Sequence, residues 1–263
     1  MIRRLLGRAI GTLFGRSEPA PIAEALWQET LASLPFLAAL DADEQQRLRA
    51  LCEAFLGEKE FTAVGELPLT DALCVSIAAQ GCLPILNLGL ERYRGWVGIV
   101  VYADEFVIPR SIEDEFGVVH EYDEIASGEA WEGGPLLVSW RDAQMAGSGY
   151  NVVIHEFAHK LDMQNGPADG VPLLPPTLAR DDWEATLLAA WENFAAKVDA
   201  ADERGEDTAL DPYAAESPAE FFAVMSEAFF ETPWLLQERF PELYARFVAF
   251  YRQDPGRRPS PGA

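Results

Sequence analysis

Residues 152–161 read Val-Val-Ile-His-Glu-Phe-Ala-His-Lys-Leu, and two histidines inside so apolar a run restrict what the chain can build. The apolar positions predict a buried helix over roughly 149–163. An α-helix turns about 100° per residue, so His155 and His159 project from one face, one turn apart. Two buried imidazoles without partners are costly, and a shared cation removes the cost. At this spacing both rings can reach one zinc ion at bonds of about 2 Å. Glu156 points in a neighbouring direction. It cannot easily join the same ligand set, but it can serve as general base toward a water held at the metal. Only three histidines occur in 263 residues, so chance rarely yields this pattern. The third, His120, reads as a structural or surface residue.

A catalytic zinc site takes three protein ligands and keeps one position open. No histidine lies downstream of His159, so the third ligand is expected to be a carboxylate from a later helix, as in gluzincins. Glu184, Glu192, Glu216, Glu220, Glu227 and Glu231 are the candidates. Glu220 is best placed, within Ser217-Pro218-Ala219-Glu220. The same four residues also read as a helix start, with Ser217 the N-cap and Glu220 its capping-box partner. Local pattern alone leaves these two readings level. Glu227, seven residues on and on the same face, is the second choice.

The rest of the chain predicts an α+β fold that is mostly helical, with a small mixed sheet of about four strands beside the motif helix. Helices are expected over Pro21–Leu31, from an Asp41/Glu44 capping box through Leu56, over Thr70–Gln80, Arg180–Ala201, from Ser217-Pro218 through Phe229, and over Pro233–Arg252. Strands are expected at Trp96–Tyr102, at Phe106–Ile108 ending before Pro109, at Val118–Tyr122 and at Pro135–Trp140. The Gly-rich stretch Gly128–Trp140 could shape an edge that pairs with an extended ligand. The acidic run Asp199–Asp211 reads as a solvated loop. The domain division is a flexible basic leader (1–20), one domain (21–253) with a helical N-terminal part (21–90), and a disordered Gly/Pro/Arg tail (254–263).

Composition limits the partners. Forty-three acidic residues face 20 basic ones, a net charge of −23, which excludes a basic face for direct nucleic-acid binding. The short, Gly-interrupted apolar run in the leader is neither a spanning segment nor a cleavable signal, so no stable membrane insertion is expected. Cys52, Cys74 and Cys82 form no disulfide framework and read as reduced thiols of a cytoplasmic protein.

Several longer segments carry a family likeness: His155–Asp162 (HEFAHKLD), Asp211–Phe230 (DPYAAESPAEFFAVMSEAFF), Ser127–Trp140 (SGEAWEGGPLLVSW) and Phe250–Pro255 (FYRQDP). The chain from about residue 40 onward resembles the Mlc titration factor A family of zinc peptidases, whose zinc site is similar to that of anthrax lethal factor. The resemblance implies one zinc ion per chain held by His155, His159 and Glu220, with Glu156 as base. It also implies that Tyr213, seven residues before Glu220, stabilises the oxyanion or protonates the leaving amine. Asp162, three residues after His159, could orient a ligand imidazole as an outer partner. The implied activity is hydrolysis of peptide bonds in a peptide or protein substrate, aminopeptidase or endopeptidase being left open. Members of the family are named for binding the glucose-system repressor Mlc, so the alternative is a non-catalytic protein that sequesters a transcriptional repressor.

Overall fold

A computed structural model describes residues 20–113, 117, 119–147 and 149–258. The leader therefore lies almost wholly outside the described residues. The fold is α+β and mostly helical, as expected.

The N-terminal part is built by α1 (Glu24–Ser33), the short α2 (Pro35–Ala38), α3 (Ala42–Glu58) and α4 (Asp71–Cys82). The α3 start is the capping box foreseen: Asp41 Oδ1 accepts from Glu44 N–H at 2.8 Å, and Glu44 Oε2 accepts from Asp41 N–H at 3.1 Å. Thr70 caps α4 by accepting from Leu73 N–H. Between them runs β1 (Glu60–Ala63), a strand the sequence pattern did not reveal. It pairs in parallel with β2 (Gly98–Tyr102).

Among the described residues, six strands form two units. β3 (Phe106–Glu113) and β4 (Val119–Ala126) make an antiparallel ribbon, with Phe106 opposite Ala126 and Glu113 opposite Val119. β3 runs through Pro109 instead of stopping there. A proline cannot donate to a ladder, but a ribbon strand has one open side that needs no donor. β5 (Gly128–Ala130) and β6 (Leu136–Ser139) complete the mixed sheet in the order β1-β2-β6-β5. β2 and β6 run parallel, and β5 is antiparallel to β6, so β5 is an edge strand. Phe106 and Ile108 pack on Leu137, which seats the ribbon on this sheet.

After the short α5 (Trp140–Ala143), α6 (Val152–Asp162) crosses the molecule's centre. Every residue of α6 except His155 is buried. Asn151 caps it, accepting from Ile154 N–H at 2.8 Å. α7 (Arg180–Arg204) ends at Gly205 in the left-handed region, so the first part of the expected acidic loop is helical. Val198 and Ala201 pack inward, which extends the helix beyond its charged surface pattern. α8 (Pro218–Glu231) lies against α6. The expected single helix 233–252 is two, α9 (Pro233–Arg239) and α10 (Pro241–Tyr251). Pro241 has no N–H to continue α9, and Phe240 before it leaves the helical region at φ −138°.

The chain stays ordered past Asp254, against the expected tail. The Tyr244 hydroxyl donates to Asp254 Oδ1 at 2.6 Å, and Pro255–Arg257 form a 3-10 turn. Residues 259–263 lie outside the described residues. One apolar cluster extends from Ile22 to Tyr251 and brings Phe55, Tyr93, Trp96 and Phe157 together edge to face behind α6.

Candidate metal centre

The two α6 histidines and one α8 glutamate meet at a point. His155 Nε2 lies 3.0 Å from Glu220 Oε2, His159 Nε2 lies 3.2 Å from the same oxygen, and the two nitrogens are 3.1 Å apart. The other ring nitrogen of His155, Nδ1, is 2.8 Å from Glu227 Oε1. A carboxylate accepts, so this Nδ1 carries the hydrogen, and Nε2 faces Glu220 with a proton or, once a cation is bound, with a lone pair turned to the cation. A lone pair and a carboxylate oxygen in contact repel unless a proton or cation lies between them. Three donors about 2 Å from one tetrahedral ion sit roughly 3.3 Å apart, close to the triangle observed. The donor set, two imidazoles and a carboxylate, therefore fits a divalent metal; these three residues form a group able to hold one.

The Glu220 backbone and side chain go to different partners. Ser217 does cap α8, accepting from Glu220 N–H at 3.2 Å. The Glu220 carboxylate does not return to Ser217 but reaches both histidines. Glu227, one face and seven residues further along α8, binds the back of His155 and accepts from the Asn151 backbone N–H. It holds the His155 ring from behind and supplies none of the three converging atoms. The remaining candidates go elsewhere. Glu184 pairs with Arg180 at 2.7 Å, and Glu192 and Glu216 are exposed. Glu231 accepts from Gly147 N–H, Gly149 N–H and Asn151 Nδ2, fixing the loop that leads into α6. His120 sits exposed on β4, outside the cluster.

Electrostatics follow from burial and these contacts. Burial alone would raise the Glu220 pKa, but the hydrogen bonds from His155 and His159 outweigh it and hold the carboxyl well below the usual range. Burial likewise opposes charge on His155, and the bonds to Glu220 and Glu227 overcome it and raise its pKa. Glu156 is different: buried, with Oε2 lacking a hydrogen-bond partner, it is pushed up to about 7 by desolvation. A base near neutrality suits proton transfer.

Glu156 and the metal triangle open into a cavity of about 580 Å³, lined also by Gly128 and Glu129 of β5, Arg110 and Glu124 of the ribbon, and Tyr213. Gly128 is needed there for steric reasons: a Cβ would fall 2.4 Å from Glu156 Oε1 and 2.6 Å from its Cγ. Tyr213 stands on a 3-10 turn (Pro212–Ala215), its backbone N–H held by Asp211, and its ring centroid is 6.1 Å from that of His155. It is 39 % exposed, so its hydroxyl edge can meet a ligand. Arg110 pairs with Glu124 within the ribbon and, at 2.6 Å, ties the ribbon to β5 through Glu129.

Asp162 is fully buried. Its Oδ2 accepts from Gly170 N–H at 2.7 Å, and its Oδ1 and the Nδ1 of His159 both lack hydrogen-bond partners. The orienting contact that the structure does contain is that of Glu227 on His155. Sequence reading placed Gly128 at the start of a ligand-pairing edge but not against Glu156. A glycine in a turn-rich stretch carries no local mark of the side chain it must admit.

The family described as glucose-regulated metallo-peptidase M90 matches residues 14–252. The chain is 45 % identical over 242 residues to a protein named Mlc titration factor A from Salmonella arizonae, covering 90 % of this chain and 94 % of that one. It is 44 % identical over 238 residues to the protein of that name from Salmonella typhi, covering 88 % and 87 %. With the one from Enterobacter sp. it shares 42 % over 246 residues, covering 92 % and 91 %.

Proposed function

Because the chain belongs to the glucose-regulated metallo-peptidase M90 family, we propose that it is a zinc-dependent peptidase whose ligands are His155, His159 and Glu220 and whose general base is Glu156. The convergence of three lone-pair donors beside a buried carboxylate with one unpartnered oxygen carries this reading. Residues 21–253 would form one zincin-like domain of the gluzincin type. Zinc, when bound, lowers the pKa of a coordinated water and polarises a carbonyl. Glu156 takes a proton on its carboxylate and passes it to the leaving nitrogen. The Tyr213 hydroxyl donates to the oxyanion or the departing amine. Glu227 keeps His155 in the tautomer whose Nε2 faces the metal; Asp162, which makes no hydrogen bond to His159, would act on that ring only through its charge. An extended peptide would add to the open side of β5, next to Glu156. The three free cysteines agree with a cytoplasmic setting, and no helix among the described residues is long and apolar enough to cross a membrane.

The deciding experiment is hydrolysis of a mixed peptide library by purified protein, with and without chelator, beside E156Q. Chelator-sensitive cleavage that E156Q lacks, with zinc content unchanged, supports the mechanism and defines the cut sites. Near-normal turnover by E156Q would remove Glu156 from its role.

The relatives' name supports a second function, binding and sequestering an Mlc-like transcriptional repressor. Such sequestration requires no chemistry, so E156Q should bind a purified repressor as tightly as wild type. Loss of binding in E156Q would tie the two functions together.

A further inference from the structure

Lys160 follows the second histidine of the motif and is 4 % exposed. Its Nζ donates to three carbonyl oxygens, those of Trp131 at 2.6 Å, Gly134 at 2.9 Å and Pro135 at 3.2 Å. It also lies 4.9 Å from the centroid of the Trp96 ring. The three carbonyls belong to the turn that joins β5 to β6. That turn has two backbone bonds of its own, Trp131 N–H to Pro135 O and Gly134 N–H to Trp131 O.

A buried ammonium is costly unless its three hydrogens are met, and here one short turn meets all three. An apolar side chain of similar length would fill the same space without that cost. What the charge adds is the gathering of three carbonyls at one point on α6. β5 begins three residues before Trp131, and its Gly128 backbone lies against Glu156. The position of the strand edge relative to Glu156 is thus linked to the helix that carries the histidines.

We infer that Lys160 is a positioning residue: it clamps the β5–β6 turn to α6 and so sets the distance between the β5 edge and Glu156. The inference deepens the peptidase reading, and rests on it only for the role of β5 as a substrate strand. A peptide long enough to pair with β5 feels the clamp. A single-residue anilide, which occupies only the reacting position, does not.

The test uses full-length zinc-loaded protein and K160M, with two readouts. In amide hydrogen exchange, residues 128–136 of K160M should exchange about tenfold faster or more, equivalent to roughly 1.4 kcal/mol, while 152–162 stay protected. Unchanged exchange in the turn, or equal acceleration along the whole chain, overturns the clamp. In kinetics, KM for a hexapeptide should rise about tenfold with kcat within about twofold, and the anilide constants should hold. Equal losses on both probes overturn the positioning role. Should K160M not fold, K160Q, which keeps two N–H donors, is judged by the same criteria. If wild type cleaves neither probe, the peptidase reading fails, and hydrogen exchange alone still decides whether Lys160 holds the turn.

Discussion

Gly128 and Glu156 form the tightest constraint among single side chains at the site. Any side chain at 128 would displace the Glu156 carboxylate, whose Oε1 lies 2.4 Å from the missing Cβ. If the peptidase proposal holds, G128A should keep bound metal and lose turnover, by about 10² in kcat, because the proposed base is moved from its post. Metal analysis beside kcat checks this, and a variant with ordinary kcat would show that Glu156 tolerates displacement. The expectation separates the proposed base from the proposed ligands, because the atoms nearest a Cβ at 128 all belong to Glu156.

Helix α8 presents two glutamates seven residues apart to a single histidine on α6. Glu220 faces the Nε2 side and Glu227 the Nδ1 side. Two turns of helix separate them by about 10 Å along the axis, enough to bracket an imidazole whose ring nitrogens they meet from opposite sides. Removing them should have unequal effects. On the proposed assignment E220A deletes a metal ligand and should leave the protein without bound zinc at equimolar metal. E227A deletes an orienting partner and should weaken zinc binding by about 10–100-fold. Competition against a chromogenic chelator measures both, and equal affinities in the two variants would contradict the division of roles. E227A also leaves the Asn151 N–H without its acceptor, so a loss of thermal stability should accompany it.

Across the molecule, a chain of net charge −23 buries two lysines among the described residues. Lys59 donates to the carbonyls of Tyr93 and Trp96 and lies 3.8 Å from the Trp96 ring centroid, with Lys160 on the same ring. Desolvation lowers the Lys59 pKa from 10.5 to about 8. Between these values the unfolded chain binds the proton that the native state has released. Stability attributable to Lys59 therefore rises as pH climbs from about 8 to 10.5, and the full cost of the buried charge applies below 8. Wild type should gain stability relative to K59M over that window. Denaturant unfolding of both at pH 7.5 and 10 checks the sign, and a gap that moves the other way would refute it.

Periodicity and capping are local, so α6, the α3 capping box and the Ser217-Pro218 start of α8 could be read from neighbouring residues alone. The His155-Glu156-His159 spacing belongs to the same class, since one helical turn places both rings. Glu220 could not be assigned in that way. Cap partner and metal ligand require the same residue at the same place, and only the packing of α8 on α6, across 65 residues of chain, sends the carboxylate to the histidines. The same holds for Glu227, 72 residues from the ring it orients. β1 and β5 left no pattern because four and three residues are too few to show an alternation. Lys160 looks like any helix lysine until the β5–β6 turn closes over it. Backbone preference acts between neighbours in sequence, whereas partners of buried charges are chosen by proximity in space, and that is set when the helices pack.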